Sequence, residues 1–306
     1  MPDEDQAWFK NSEILSFEEL LRVIRISAEL GVRKVRVTGG EPLTRKGIVE
    51  FCREVGEIKG IDDIGISTNG TLLARRNIDG ITTAEQLVKA GVKSVNISLD
   101  SLNRQHYQLI TRRDLLPEVL MGIEAAKQAG FESIKINSVL TKNQSETELV
   151  SLIDFAREHD LLLRFIELMP VSTQDVLTEQ KFYSVGHAMK QIREHYGDLK
   201  ALVDFKTNGP SSYYEIVGSA QKIGFIGAMT NLHFCESCNK LRLTCDGKLR
   251  PCLGSYLEFD LFSALRENCT DEDLKLLILN VVEKKPKEHD FRNQYTPNRR
   301  MIAIGG

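Results

Sequence analysis

The sequence predicts an α/β fold of repeated βαβ units followed by a C-terminal region of different character, and three observations carry that prediction. From residue 16 to about 170, short β-branched runs alternate with longer stretches of helical period. Four of the runs close on unusual turns, Gly39-Gly40-Glu41-Pro42, Ser67-Thr68-Asn69-Gly70, Ser98-Leu99-Asp100 and Glu167-Leu168-Met169-Pro170, at the strand ends where parallel sheets bind ligands. Past residue 171 the alternation stops. Five of the six cysteines then follow, Cys235, Cys238, Cys245, Cys252 and Cys269, with Cys52 alone in the first part.

Each element has a local reason. Ser16 caps a helix through Leu30, with Glu19 completing a capping box and Leu20, Ile24 and Ala28 on one face, and Gly31 ends it. Val35-Arg36-Val37 is the first strand, and a helical stretch follows near 46–56. Ile64 to Ser67 is the second strand, and Ala84 to Ala90 a helix ended by Gly91. Ser94 to Leu99 is the third strand, before a helix from Pro117 to Ala129 with Gly130 past its end. Strand Ile134 to Leu140, helix Ser145 to Glu158 and strand Leu162 to Leu168 complete the series. No Gly-x-Gly-x-x-Gly marks the first turn, so a barrel stands beside a dinucleotide fold. A helical stretch near 179–195 leads into turn-rich sequence through about 234, and a last helix spans about 271–284. No low-complexity linker intervenes, so the last third is expected to pack against the barrel.

At 306 residues, with 42% hydrophobic and 27% charged, the chain can bury a core without staples. The 40 Lys and Arg nearly balance the 43 Asp and Glu, so an anionic ligand needs a local cluster rather than a global field. The start, Met1-Pro2-Asp3-Glu4-Asp5, has no signal-peptide pattern, and no apolar run reaches the length of a membrane span. A cytoplasmic protein with no nucleic-acid and no membrane partner is expected. In a reducing compartment, clustered cysteines point to metal rather than disulfides.

Two constellations carry chemistry. Cys235-x-x-Cys238, with Cys252 after a spacer of 13 residues, makes an iron-sulfur site or, with Cys245 as fourth ligand, a structural zinc site. Arg36, Lys135 and Arg164 each lie between apolar neighbours in a strand, so alternation turns them to the face opposite the apolar one. Charge buried there needs a partner, either a polyanion or a carboxylate such as Glu167. Lys34 is two residues from Arg36, and Lys240, Arg242 and Arg250 add charge near the cysteines. Walker, HExxH and G-x-S-x-G motifs are absent from the sequence, which leaves ordinary nucleotide hydrolases, zinc proteases and serine hydrolases without support.

Thr38-Gly39-Gly40-Glu41-Pro42-Leu43, Ser67-Thr68-Asn69-Gly70, Asn96-Ile97-Ser98-Leu99-Asp100, Arg164 to Met169, Phe234 to Leu243, Gly247 to Cys252 and the terminal Gly305-Gly306 together resemble the MoaA family of radical S-adenosylmethionine enzymes, the GTP 3',8-cyclases. The resemblance runs the whole length. It implies a partial (β/α)6 TIM-like barrel over residues 1–170, its first strand missing, and a C-terminal region, 171–306, holding a second [4Fe-4S] cluster against GTP. It implies a lyase of molybdenum cofactor synthesis that binds GTP and S-adenosylmethionine. By motif, Gly40, Ser98 and Met169 contact S-adenosylmethionine; Arg36, Ser67, Lys135, Arg164, Lys240 and Arg242 surround GTP; and Cys235, Cys238 and Cys252 hold the cluster. An electron donor, a downstream cyclic pyranopterin monophosphate synthase and a homodimer belong to the same implication.

The chain departs from the family in places. The family's radical-cluster motif, Cys-x-x-x-Cys-x-x-Cys, is expected ahead of Met1-Pro2, which reads as an internal position, so catalytic residues are left unassigned. Lys240 stands where arginine is usual, Ser67 where threonine is usual, and Cys245 where alanine is common, which makes Cys245 a bystander. The competing reading is a non-catalytic GTP-binding or zinc-containing relic of the same fold, and a third, a tail donor of the ubiquitin type, rests on Gly305-Gly306 alone.

Overall fold

A computed structural model describes residues 9–142, 146–171, 181–207, 209–292, 295, 297–299 and 301–304. Met1-Pro2, Ser145 and Gly305-Gly306 lie outside the described residues. In chain order the first part runs α1 (Phe17–Glu29), β1 (Lys34–Val37), α2 (Ile48–Glu57), β2 (Asp63–Thr68), α3 (Thr83–Lys89), β3 (Val92–Ser98), α4 (Arg104–Thr111), α5 (Leu116–Ala129), β4 (Ser133–Leu140), α6 (Glu146–Glu158) and β5 (Leu162–Glu167). There follow α7 (Val185–Tyr196), β6 (Leu199–Ala201), β7 (Ser212–Ile216), β8 (Lys222–Ile226), β9 (Arg242–Leu243), β10 (Lys248–Arg250), β11 (Phe259–Asp260), α8 (Phe262–Arg266), α9 (Asp271–Glu283) and α10 (Met301–Ile304).

The Ser16 box forms as its spacing dictates: the Ser16 hydroxyl accepts from Glu19 N at 3.2 Å and Glu19 Oε2 accepts from Ser16 N at 2.7 Å. The expected helix near 179 begins at Val185, where Ser184 caps it. α4 went unread because its apolar residues are few and Asn103 is its only start signal.

The main sheet has the order β1-β2-β3-β4-β5-β8-β7-β6. β1 to β5 and β8 are parallel, whereas β6 and β7 are antiparallel additions. Strands that follow one another in chain order, with no point of reversal, wind in one direction and so bend toward a barrel rather than a dinucleotide fold. The sheet also continues past residue 170: β8 lies parallel to β5 with Arg164 beside Gly224. The turn-rich stretch hid this hairpin because its strands are short and flanked by Gly209, Pro210 and Gly218.

Pleating separates two faces. Ile66, Val95, Ile97, Ile136, Leu163, Phe165, Ile223 and Phe225 share one core with Phe51, Val55, Leu87, Val119, Ile123, Leu152 and Ala188 of the helices. A second core joins Val23 and Ile26 of α1 to Leu249, Leu261, Leu265, Leu274, Ile278 and Val281, which docks the last third against the first helix as expected. Among the described residues no helix is long and apolar enough to cross a membrane.

Gly122 on α5 meets the end of β2 so closely that a Cβ there would stand 2.1 Å from the Gly70 carbonyl oxygen. Backbone cannot yield as a side chain does. Gly122→Ala is expected to lower the unfolding free energy by about 2–3 kcal/mol in denaturant titration, as overpacking against rigid neighbours does.

Candidate functional site

The face turned away from the helices is built in rows. One row across the sheet is Arg36, Gly65, Ser94 and Ser133; the next holds Ser67, Asn96 and Lys135; the third holds Ser98, Asn137, Arg164 and Gly224. Parallel strands are ordinarily apolar on both faces. A polar face of this extent is a lining rather than packing material.

Its cations lie flat because glycines make room. A Cβ on Gly65 would stand 2.0 Å from Arg36 Nη1, so the guanidinium crosses β2 over bare backbone and donates through Nη2 to Ser94 Oγ at 3.2 Å. The stem of Arg164 borders Gly224, with its Cγ 2.9 Å from where a Cβ would be, and its Nε donates across to Asn137 Oδ1 on β4 at 2.8 Å. Lys135 Nζ donates to Ser133 Oγ at 2.7 Å. Lys135 and Arg164 are each only 4% exposed.

These charges repel one another. Burial, then the fields of Arg164 and Arg36, push the Lys135 ammonium down to about 8, against the opposing pull of Asp63. Burial and Arg164 bring Arg36 down to about 10. Arg164 is lowered by burial, with Tyr213 opposing. Glu167, the carboxylate placed to pair with them, is engaged elsewhere: it accepts from Val185 N and Met229 N at 2.9 Å, Thr230 N at 3.1 Å and Thr230 Oγ1 at 2.5 Å. Asn96 donates to Ser67 Oγ at 3.2 Å and keeps a buried Oδ1 without a partner.

The cations run on into the cysteine region. Lys240 feels the fields of Arg36, Lys34 and Lys285 as well as that of Cys238. Arg242 is lowered by burial and raised by Cys238 and Cys252. The Cys252 thiol is pushed up by burial, with Cys235 and Cys238 adding to the rise. Cys238 N donates to Cys235 O at 3.0 Å, the tight turn that C-x-x-C spacing produces. Cys245 lies apart, among Asp246, Arg299 and Arg45, and its carbonyl accepts from Leu15 N at 2.8 Å. Among the described residues no three His, Cys, Asp or Glu side chains converge on a single-ion site. Arg250, expected with the charges near the cysteines, is fully buried inside the small sheet.

At the strand ends, Glu41 of the Gly-Gly-Glu-Pro turn accepts from Thr68 Oγ1 at 2.8 Å, Asn69 N at 2.7 Å and Leu43 N at 3.0 Å. It thereby locks the end of β1 to the end of β2. Burial raises its carboxyl, and those three bonds oppose the rise. Beside it a cavity of about 210 Å³ is lined by residues including Asn69, Thr71, Ser98, Asp100, Tyr107 and Thr111, with α4 as one wall. Of the three residues carried over for S-adenosylmethionine, Ser98 lines this cavity. Gly40 and Met169 stand outside its lining, at the ends of β1 and β5. Sequence reasoning missed Ser94, Asn96 and Asn137, although Asn96 lies between Val95 and Ile97 in the same alternation that exposed Lys135.

The family model of the Radical SAM superfamily matches residues 4–156, and that of Molybdenum Cofactor Synthesis C matches residues 161–291. A GTP 3',8-cyclase of Thermodesulfovibrio yellowstonii is 40% identical over 294 residues, 96% of this chain and 88% of that protein. The enzyme of the same name from Pelotomaculum thermopropionicum is 39% identical over 306 residues, 100% of this chain and 92% of that protein. Among solved structures, Streptococcus suis SuiB bound to S-adenosylmethionine superposes with a TM-score of 0.57 at 16% identity, covering 98% of this chain and 72% of that one, a likeness of fold. The chain belongs to the GTP 3',8-cyclase family of the radical SAM superfamily.

Lys135 gives a pH test of the unliganded site. Between about 8 and the ordinary lysine value of 10.5 the unfolded chain holds a proton that the folded one has released. Stability therefore rises with pH across that window as the buried charge is discharged, and below it the penalty is fully present. Unfolding titrations from pH 7 to 10 should show wild type gaining ~1–3 kcal/mol relative to Lys135→Met.

Proposed function

We propose that the chain performs the GTP 3',8-cyclase reaction, the step that joins C3' of GTP to C8 of its guanine and begins molybdenum cofactor synthesis. One observation supports it above the others: the strand cations reach the thiols through Arg36 and Lys240, which stands near Cys238, with Arg242 beside Cys238 and Cys252. A substrate with a polyanion at one end and a metal-binding base at the other matches that layout.

Membership in the superfamily implies a [4Fe-4S] cluster and S-adenosylmethionine, which when bound supply the one-electron chemistry that removes the C3' hydrogen. The 306 residues contain no Cys-x-x-x-Cys-x-x-Cys, and the roles assigned to this chain are those of binding and positioning. Arg36, Lys135 and Arg164 neutralise the triphosphate, whose arrival relieves their mutual repulsion. Ser67 Oγ and the unpartnered Asn96 Oδ1 offer acceptors to the ribose hydroxyls or guanine N–H groups of the same nucleotide. Lys240 and Arg242 hold the nucleotide toward the thiols; Lys240 does so as a point charge, without the bidentate grip of an arginine. Ser98, Gly40 and Met169 form the S-adenosylmethionine side, at the edge that Glu41 locks. Holding two reactants this way converts their encounter into an intramolecular event, the main contribution a protein makes to radical chemistry.

For the metal, three half-buried thiols, with Cys235 and Cys238 close enough to act on Cys252, support a cluster with one open iron. A closed four-cysteine zinc site lacks its fourth member, because Cys245 faces other neighbours. An electron donor, a homodimer and a downstream enzyme that takes the product complete the reading.

Two measurements test it. Calorimetry with GTP on the anaerobically reconstituted protein should show Arg164→Ala binding weaker by about 2 kcal/mol, the loss of a charged hydrogen bond; unchanged affinity sinks the assignment. Iron and sulfide analysis should find Cys252→Ala depleted and Cys245→Ala loaded like wild type. One zinc without sulfide, lost in Cys245→Ala, overturns the cluster.

A further inference from the structure

The loop that carries Cys252 is fastened to the C-terminal segment by a chain of buried charge. Arg250, two residues before Cys252, is 0% exposed. Its Nη2 donates to the Ser255 carbonyl at 2.6 Å, closing the loop that contains Cys252, and its Nη1 donates to Glu258 Oε1. That same oxygen accepts from Arg299 Nε at 2.6 Å. Arg299 Nη1 then reaches both Asp246 oxygens, at 3.0 and 2.9 Å. Asn298, beside Arg299, accepts from Arg250 Nη1 at 3.4 Å.

The Asp246, Arg299 and Glu258 side chains are 13%, 17% and 18% exposed, so little water competes for them. Two guanidiniums and two carboxylates balance, and removing one member strands the charge of another. Cys235, Cys238 and Cys252 all stand outside helices and strands. A ligand on a loop is only as well placed as the contacts that hold its loop. Asp246 and Glu258 lie on either side of the Cys252 loop in sequence, and Arg299 is where the chain returns to join them.

We infer that Arg299 is a positioning residue for Cys252: docked on Glu258 and Asp246, it makes the ligating geometry of the Cys252 loop depend on a seated C-terminal segment. This rests on the proposed reading of the cysteine triad as a cluster site and adds to it a residue that touches neither cluster nor substrate. The planar fork of arginine serves both carboxylates at once, which a lysine ammonium does only in part.

The test is iron release from the anaerobically reconstituted chain to a chromogenic chelator, followed with far-UV circular dichroism and the electron paramagnetic resonance of the reduced cluster. Arg299→Leu and Glu258→Gln should release iron about tenfold faster than wild type, the scale on which outer-shell partners act on metal sites. Both should keep wild-type dichroism and show a broadened resonance, with Arg299→Lys intermediate. Glu258→Gln keeps the shape of the side chain, so a wild-type release rate in that variant overturns the inference whatever becomes of the leucine variant. A wild-type chain that takes up no iron defeats the cluster reading and this inference with it. A loaded wild type with equally slow variants defeats the inference alone.

Discussion

Mutual repulsion among Arg36, Lys135 and Arg164 is the constraint around which the rest of the molecule is arranged. Burial lowers all three, and the field of Arg164 lowers Arg36 and Lys135 further, with Arg36 adding to the effect on Lys135. The sheet tolerates this because one face is surrendered to polar groups and to glycine, while stability is concentrated on the other, where helices cover Ile97, Ile136, Leu163 and Phe165. Glu167 could have neutralised the site, but it is spent on the turn at 229–230 and the start of α7. Of the carboxylates among the described residues, Asp63 is the one whose field reaches Arg36 and Lys135.

The βαβ series was legible because its signals are local: the Ser16 box, Gly31, Gly91 and Gly130 at helix ends, and β-branched runs between them. Alternation alone assigned Arg36, Lys135 and Arg164 to one face, since a strand has no other way to place a charge between two apolar neighbours. Which partner they meet was not legible. That depends on where Glu167 turns, and Glu167 is claimed by backbone donors more than sixty residues further along the chain. The hairpin of β7 and β8 escaped for a related reason: its register comes from pairing with β5, a long-range contact that leaves no periodic trace of its own. The cysteines illustrate both cases. Spacing brought Cys235 and Cys238 together, but only the fold sets Cys245 apart, through Leu15 and Arg299.

α1 belongs to both cores. Leu21 packs with the sheet's apolar face, and Val23 and Ile26 pack with α9 and the small sheet. Arg22 on the same helix donates to Asp271 at 2.7 Å and to the Cys269 carbonyl at 2.6 Å. The two faces of one amphipathic helix therefore tie the core of the large sheet to the core that carries the small sheet and α9.

The arrangement of Arg36 over Gly65 has a meaning for how such chains diverge. The guanidinium occupies the volume that any side chain at 65 would need, so the two positions are not independent letters. An alanine at 65 would be met by the far end of a flexible side chain, so it displaces the guanidinium from the strand rather than excluding the arginine. In a set of diverged sequences, a chain with a larger residue at 65 would be one in which the cation at 36 no longer lies across the sheet, whether or not it is still an arginine.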